Sequence, residues 1–468
     1  MIPIFNEVYS LDKNCYDKGL NEYILMEHAS KAMYEEIKSQ GCKSVCIISG
    51  AGNNGADGIA LARMLLGEVD VFLFLPMGVK SKMAKYQLEV YKNYGGEYSN
   101  LPKMNNYDCY VDAIFGSGLT RDLDTKINKI IKSLNKRDGL KIACDIPTGL
   151  DENGNPKGEV FKADKTITMG AMKLSLFNDF AKDFVGEIKI ANLGISFKNY
   201  TSKTDYYLLE KTDMILPFRN KNNTHKGAFG HLGVLVGQKE GAGVIASLAG
   251  LNFGAGLVTA ITKDKIQLPY EIMNDDRISK NYSAICFGMG MGNFYDDEIE
   301  NIKNLDIPMV IDADMFYKKD IIDFLDKKVV LTPHPKEFAS LLKLCEIGEY
   351  SIEEIQQNRF ELTLKFIKKY PKIVLLLKGA NTIIGYKNQL YVNHFGTSAL
   401  SKGGSGDVLG GMIAALLAQK YHILKATITA SLAHSFAGNI QPNYSLTPIK
   451  LIENLSKFSQ ASGQLVQM

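Results

Sequence analysis

A chain of 468 residues is long enough for two or three domains, and its 46% hydrophobic and 22% charged content is that of an ordinary globular protein. With 54 basic against 51 acidic residues the net charge is only +3, and no long basic run occurs, so nucleic acid is not an expected partner. No run of eighteen apolar residues and no leader-like start occur, and seven cysteines at 15, 42, 46, 109, 144, 286 and 345 form no C-x-x-C pair; a cytoplasmic protein with reduced thiols and no membrane span is expected.

Between Asn6 and Gln40 the apolar residues Leu20, Ile24, Leu25, Ala29, Met33 and Ile37 recur at helical spacing. A short apolar strand, Val45–Ile48, then runs into the glycine loop Ser49–Gly58, and Ile59–Leu66 reads as helix. The alternation continues through a strand at 71–75, a helix at 83–94 and a strand at 110–115. That last strand carries Asp112 into Gly116-Ser117-Gly118-Leu119-Thr120-Arg121. A fourth strand, Lys141–Cys144, ends in Asp145-Ile146-Pro147-Thr148. Strands separated by helices predict a doubly wound α/β sheet, with these loops on one edge. Gly50-x-Gly52-x-x-Gly55 has dinucleotide-loop spacing, but Asn53 and Asn54 put amide oxygens where small residues are usual. Oxygens of Asn54, Asp112 and Thr148 would suit a hard cation of low charge; equally, the asparagines serve a turn and the aspartates cap helices.

The three motifs Gly52–Gly58, Asp112–Leu119 and Asp145–Asp151, in that order, resemble the NAD(P)H-hydrate epimerases. The resemblance implies a hydrated nicotinamide dinucleotide bound along Asn53, Asn54, Gly55, Ala56 and Asp57 and along Gly116, Ser117, Gly118, Leu119, Thr120, Arg121 and Asp122. It also implies K+ at Asn54, Asp112 and Thr148, with Asp145 touching the substrate and serving as the acid/base group. Ala56 stands where that family has a second glycine, and Thr148 where it has serine.

A polar stretch from Phe197 to Lys226 marks a boundary near Lys203, giving domains 1–203 and 204–468. Beyond it, strands at 232–236, 257–262, 284–287, 308–311, 329–331 and 373–377 alternate with helices and deliver glycine or acidic loops. His334 sits between two prolines at a strand end, either as a structural histidine or as a functional one. Lys378-Gly379-Ala380-Asn381-Thr382 could hold a nucleotide's phosphate or sugar. In Ser401–Gly411 a single carboxylate, Asp407, stands among glycines at the start of an apolar helix, Val408–Leu417. A helix N-terminus binds anions. Asp407 there either takes a proton from a hydroxyl about to be phosphorylated or simply caps the helix.

The order of these pieces resembles the ribokinase-like fold, and more closely the ADP-dependent NAD(P)H-hydrate dehydratases: His225–Gly227, Gly288–Gly292, Asp312–Asp314, Pro333–Pro335, Lys378–Ala380 and Gly403–Leu409. What this implies is that Lys378, Gly379, Ala380, Asn381, Thr382 and Gly406 contact the adenosine nucleotide, while Ala242, Gly290, His334 and Asp407 contact the hydrated dinucleotide, Asp407 as base. The expectation is then a Rossmann-like epimerase joined to a ribokinase-like dehydratase that uses ADP and Mg2+, a homo-oligomer that repairs NAD(P)H-hydrate. Two alternatives stand beside it: a vitamin or sugar kinase fused to a dinucleotide-binding module, and a first domain that only senses a dinucleotide.

Overall fold

The computed structural model describes residues 1–103, 105–292, 296–440 and 442–458. It has two compact units, one spanning Pro3–Thr204 and the other running from Asp205 onward and including Met1–Ile2. No helix among the described residues is long and apolar enough to cross a membrane.

In the first unit the strands are β1 (Ile2–Phe5), β2 (Ser44–Ser49), β3 (Asp70–Phe74), β4 (Tyr98–Ser99), β5 (Cys109–Ala113), β6 (Leu140–Cys144), β7 (Lys165–Met169), β8 (Met172–Lys173) and β9 (Glu187–Ala191). The helices are α1 (Tyr9–Asp17), α2 (Glu22–Ser39), α3 (Asn53–Leu65), α4 (Lys82–Asn93) and α5 (Thr125–Leu134). Seven strands form one sheet in the order β4-β3-β2-β5-β6-β7-β9, every pairing parallel. Alternate strand residues go to two separate cores: Val45, Ile47, Val111 and Ile142 to one, Cys46, Ile48, Tyr110 and Ala143 to the other. Both faces are therefore covered, which is why these strands read as unbroken apolar runs. Winding starts at β2 and proceeds outward both ways, so the crevice between the β2 and β5 loops is the topological switch point of a Rossmann-like sheet.

The helix after β2 begins earlier than its sequence suggests. Asn53–Gly58, expected in a loop, form the first turns of α3, with Gly52 as its cap. Asparagine and glycine are poor helix formers, but close packing overrides propensity here: a Cβ on Gly55 would lie 1.9 Å from the Gly50 carbonyl oxygen. Gly55→Ala is accordingly expected to destabilise this unit by about 1–3 kcal/mol through overpacking, read as a lowered midpoint in urea unfolding followed by circular dichroism.

The second unit contains β10 (Tyr206–Leu208), β11 (His231–Leu235), β12 (Leu257–Ile261), β13 (Met273–Asp275), β14 (Ala284–Phe287), β15 (Met309–Ile311), β16 (Val329–Leu331), β17 (Val374–Leu377), β18 (Thr382–Tyr386) and β19 (Gln389–Asn393). Its helices are α6 (Glu240–Asn252), α7 (Asp296–Lys303), α8 (Pro335–Leu344), α9 (Ile352–Gln357), α10 (Arg359–Lys369), α11 (Ser405–Ala418), α12 (Ile423–Gly438) and α13 (Pro448–Leu455). The sheet runs β13-β12-β11-β14-β15-β16-β17-β18-β19-β10, parallel as far as β17, with β18 antiparallel to both its neighbours. The switch point falls between β11 and β14, whose loops are tied by Lys239 N–H to Gly290 O at 2.8 Å. From Val408 to Ala418 every residue of α11 is buried, packed with Val234, Cys286 and Val310 of the sheet. Each fully buried large aliphatic contributes about 1.5–3 kcal/mol, so the start of α11 is held by its own core. The α/β class expected for both halves is the observed one: a Rossmann-like doubly wound sheet in the first unit and a second, mostly parallel sheet with helices in the other.

Candidate functional sites

At the switch point of the first unit lies a cavity of about 480 Å³. Of the residues expected there, Asn53, Asn54 and Asp57 of α3, Gly116, Ser117 and Gly118 after β5, and Asp145 after β6 border it. Gly55 and Ala56 lie buried in the body of α3, Leu119 packs into an apolar core, and Thr120, Arg121 and Asp122 are exposed and do not border the cavity.

Asp145 is 8% exposed and adopts φ +70°, a left-handed conformation rare outside glycine. Such strain marks a side chain held where the fold needs it. Its Oδ1 accepts from Lys173 Nζ at 2.5 Å and from Met169 N–H at 3.1 Å. Gly116 keeps the space before it open: a Cβ there would lie 3.0 Å from Asp145 Oδ2 and 3.1 Å from Asn54 Oδ1. Burial, with Asp145 and Asp12 nearby, pushes the half-buried Asp57 carboxyl well above the usual range. Asp12 of α1 accepts from the Tyr200 hydroxyl at 2.6 Å and borders the same cavity.

Asp112 is wholly buried, and burial pushes it up to about 6 against the hydrogen bonds it accepts. Those come from Thr148 N–H at 2.7 Å, Thr148 Oγ1 at 2.7 Å and Ile114 N–H at 3.2 Å. Thr148 Oγ1 in turn accepts from Phe115 N–H at 3.0 Å, next to Gly116 and the Asn54 amide. The Asn54 Nδ2 is buried without a hydrogen-bond partner. The Asp112 carboxylate, the Thr148 hydroxyl and the Asn54 Oδ1, brought from β5, the loop after β6 and α3, are oxygen donors of the kind a monovalent cation takes.

In the second unit Asp407 is the third residue of α11, whose cap Gly404 has φ +87°. Burial pushes Asp407 up to about 6, with Asp312 adding to the shift and Lys378 opposing it. Lys378 Nζ contacts Asp312 Oδ1 at 2.9 Å and lies 3.8 Å from Glu337 Oε2. A Cβ on Gly406 would be 3.4 Å from that same nitrogen, so the ammonium stands under the α11 N-terminus. His334 caps α8: its Nδ1 accepts Glu337 N–H at 3.2 Å, and its own N–H donates to Glu337 Oε2 at 2.8 Å. That assigns the ring proton to Nε2, 3.2 Å from Glu337 Oε1. Burial first, and Lys378 second, lower the His334 pKa and keep the ring neutral. Burial pushes Glu337 up to about 7. Gly290 and Ala242 face each other across the β11 and β14 loops, 3.2 Å apart by the position a Gly290 Cβ would take. Beyond Lys378, Gly379 and Ala380 are exposed, Asn381 is buried, and Thr382 opens β18.

Sequence reasoning left Asp12, Lys173 and Tyr200 unassigned in the first site and gave no role to Glu337 in the second. Lys173 was detectable as the lone charge in the otherwise uncharged run Met169–Phe177, and Glu337 by its capping-box spacing from His334.

A family model described as "NAD(P)H-hydrate dehydratase" matches residues 232–460, and one described as "YjeF-related protein N-terminus" matches residues 22–175. The bifunctional NAD(P)H-hydrate repair enzyme Nnr of Helicobacter pylori is 41% identical over 98% of this chain and 100% of that protein. Its counterpart in Dictyoglomus turgidum is 31% identical over 90% of each. A solved structure described as the ADP/ATP-dependent NAD(P)H-hydrate dehydratase of Bacillus subtilis, co-crystallised with ATP and Mg2+, covers 52% of this chain and 92% of that one, with TM-score 0.45 and 24% identity. With a two-fifths identity that runs almost end to end, the chain belongs to the family of bifunctional NAD(P)H-hydrate repair enzymes.

Proposed function

We propose that residues 1–203 equilibrate the (R) and (S) epimers of NAD(P)H-hydrate at C6, and that residues 204–468 dehydrate the S epimer with ADP, restoring NAD(P)H and releasing AMP and phosphate. One observation carries the reading: each unit sets a buried or half-buried aspartate, Asp145 or Asp407, at the switch-point edge of its own parallel sheet, beside a helix N-terminus and glycine loops.

The chemistry follows from C6, which is bonded to both the ring nitrogen and a hydroxyl. Hydroxide leaves poorly, so in the second site Asp407 takes the hydroxyl proton, the oxygen attacks the terminal phosphorus of ADP, and AMP departs. The ring nitrogen's lone pair then expels phosphate, and loss of the C5 proton restores the double bond. Backbone amides from Gly404 to Asp407 and the Lys378 ammonium meet the transferring charge. Gly290, Ala242 and neutral His334 would hold the dinucleotide; Lys378, Gly379, Ala380, Asn381, Thr382 and Gly406 would hold the nucleotide. In the first site Asn53, Asn54, Gly55, Ala56, Asp57 and the Gly116–Asp122 loop would hold the hydrate.

K+, held by Asn54, Asp112 and Thr148, would supply a fixed positive charge beside the substrate. Magnesium would enter with the nucleotide. Among the described residues no group of three or more His, Cys, Asp or Glu side chains is arranged to hold an ion unaided, so phosphate oxygens would supply many of its ligands. The same reading takes the working form as a cytoplasmic homo-oligomer.

The test is to incubate the purified chain with both hydrate epimers, ADP and magnesium. Complete recovery of reduced-nicotinamide absorbance with stoichiometric phosphate is expected. A stable phosphorylated product without NAD(P)H would instead make the second unit a kinase. Recovery that stops at the S share would deny the first unit its activity.

A further inference from the structure

Lys173 is 2% exposed on the two-residue strand β8, among the buried apolar side chains Ala171, Met172, Leu174 and Leu176. An ammonium in such surroundings is costly unless each proton finds an acceptor. It has three: Asp145 Oδ1 at 2.5 Å, Thr168 Oγ1 at 3.0 Å and Met169 O at 3.1 Å. Its donors are spent inside the protein, so it is built to hold Asp145 rather than the substrate.

The two carboxylate oxygens of Asp145 are therefore unlike. Oδ1 takes Lys173, Met169 N–H and, at 3.5 Å, Thr168 Oγ1. Oδ2 faces the opening that Gly116 leaves by having no side chain. Asp12 and Asp57 border the same cavity, and Lys173 is the only basic residue among those lining it. A cation on Oδ1 offsets this accumulation of negative charge and fixes which oxygen points outward.

We infer that Lys173 is a positioning residue for epimerisation: it anchors Asp145 Oδ1 so that Oδ2 is the oxygen that exchanges a proton with the oxygen on C6. This rests on the proposed activity of the first unit. In that reaction the C6–O bond breaks as the ring nitrogen's lone pair forms a C6=N1 bond, and the hydroxyl leaves as water with a proton given by Asp145 Oδ2. Water then adds to the opposite face and returns one proton to that oxygen. Protons and electrons balance with no co-reactant, and one carboxylate oxygen in fixed register with C6 handles the transfer.

The experiment uses the full-length chain carrying Lys173→Met, Lys173→Arg or Thr168→Val, with exchange of the purified epimers followed by chromatography. For Lys173→Met the expected result is a fall in kcat of about 10²-fold, with KM for the hydrate within about threefold, since a misplaced base costs turnover and not binding. Lys173→Arg should recover at least about tenfold of that loss, and Thr168→Val, which removes one anchor of the ammonium, should lose about fivefold in kcat. ADP-driven dehydration of the S epimer should be unchanged in all three, showing that the second unit is intact. Wild-type kcat in Lys173→Met, or a change in its KM alone, would overturn the inference. If that variant does not fold, wild-type kcat in Thr168→Val would do so. Absence of exchange in the wild type would instead remove the activity proposed for the first unit.

Discussion

Asp407→Asn is expected to lower ADP-driven dehydration by about 10³-fold and to leave epimer exchange untouched. The side chain sits in the first turn of α11, whose amides already favour anions, next to Asp312 and above Lys378. A carboxylate has no use there as a phosphate ligand, but it is well placed to accept a proton from a hydroxyl. Because burial pushes its pKa up to about 6, the wild-type kcat/KM should climb with unit slope below pH 6 and level off above it, where the base is ionised. The competing role, a helix cap, predicts something else. Losing a cap costs about 1 kcal/mol of stability and no chemistry. A folded-state pKa of about 6 above the unfolded 3.8 means that the ionisable carboxyl costs stability progressively as pH rises from one value to the other, and in full above about 6. Asparagine removes that charge while keeping the shape. Equal or higher thermal stability at pH 8 together with lost dehydration would therefore identify a base, whereas full activity in the asparagine variant, which caps as well as aspartate, together with about 1 kcal/mol lost in Asp407→Ala would identify a cap.

Strand, loop and helix were legible wherever strands are buried on both faces, as at Val45–Ile48 and Ala284–Phe287, because unbroken apolar runs between glycines have few other uses. The aspartates at strand ends were legible for the same reason. What escaped was whatever local pattern does not encode. In β7 the polar residues Lys165, Thr166 and Thr168 break the apolar run, and β8 is two residues long, too short for any periodicity. Thr168 and Lys173 are buried because of what they bind across the fold, namely Asp145, and that partnership exists only in three dimensions. Asp12 and Tyr200 likewise meet across 188 positions of sequence. Lys378 is readable as a nucleotide contact from its glycine turn, but its partners are not: Asp312 accepts from its ammonium and Glu337 sits close by, and their charges outweigh burial and hold it above its ordinary pKa.

Asp145→Asn is the sharper probe of the first unit, because asparagine suits the backbone that aspartate occupies there. At φ +70° most side chains strain the chain, and asparagine is among the few that do not. Its amide oxygen can still accept from Lys173 and Met169 N–H, as Asp145 Oδ1 does, so the loop and its neighbours keep their places. Only the negative charge and the proton-accepting oxygen are lost. Epimer exchange should then fall by about 10³-fold while the hydrate binds with a Kd within a few-fold of wild type, measured by calorimetry on the full chain. In the coupled assay the variant should recover the S share of a mixed substrate at the normal rate and then slow to the uncatalysed exchange. Binding without exchange in the wild type as well would make the first unit a sensor. Exchange preserved in the variant would shift the proton transfer to Asp57, whose carboxyl burial and the nearby Asp145 and Asp12 push well above the usual range in the same cavity.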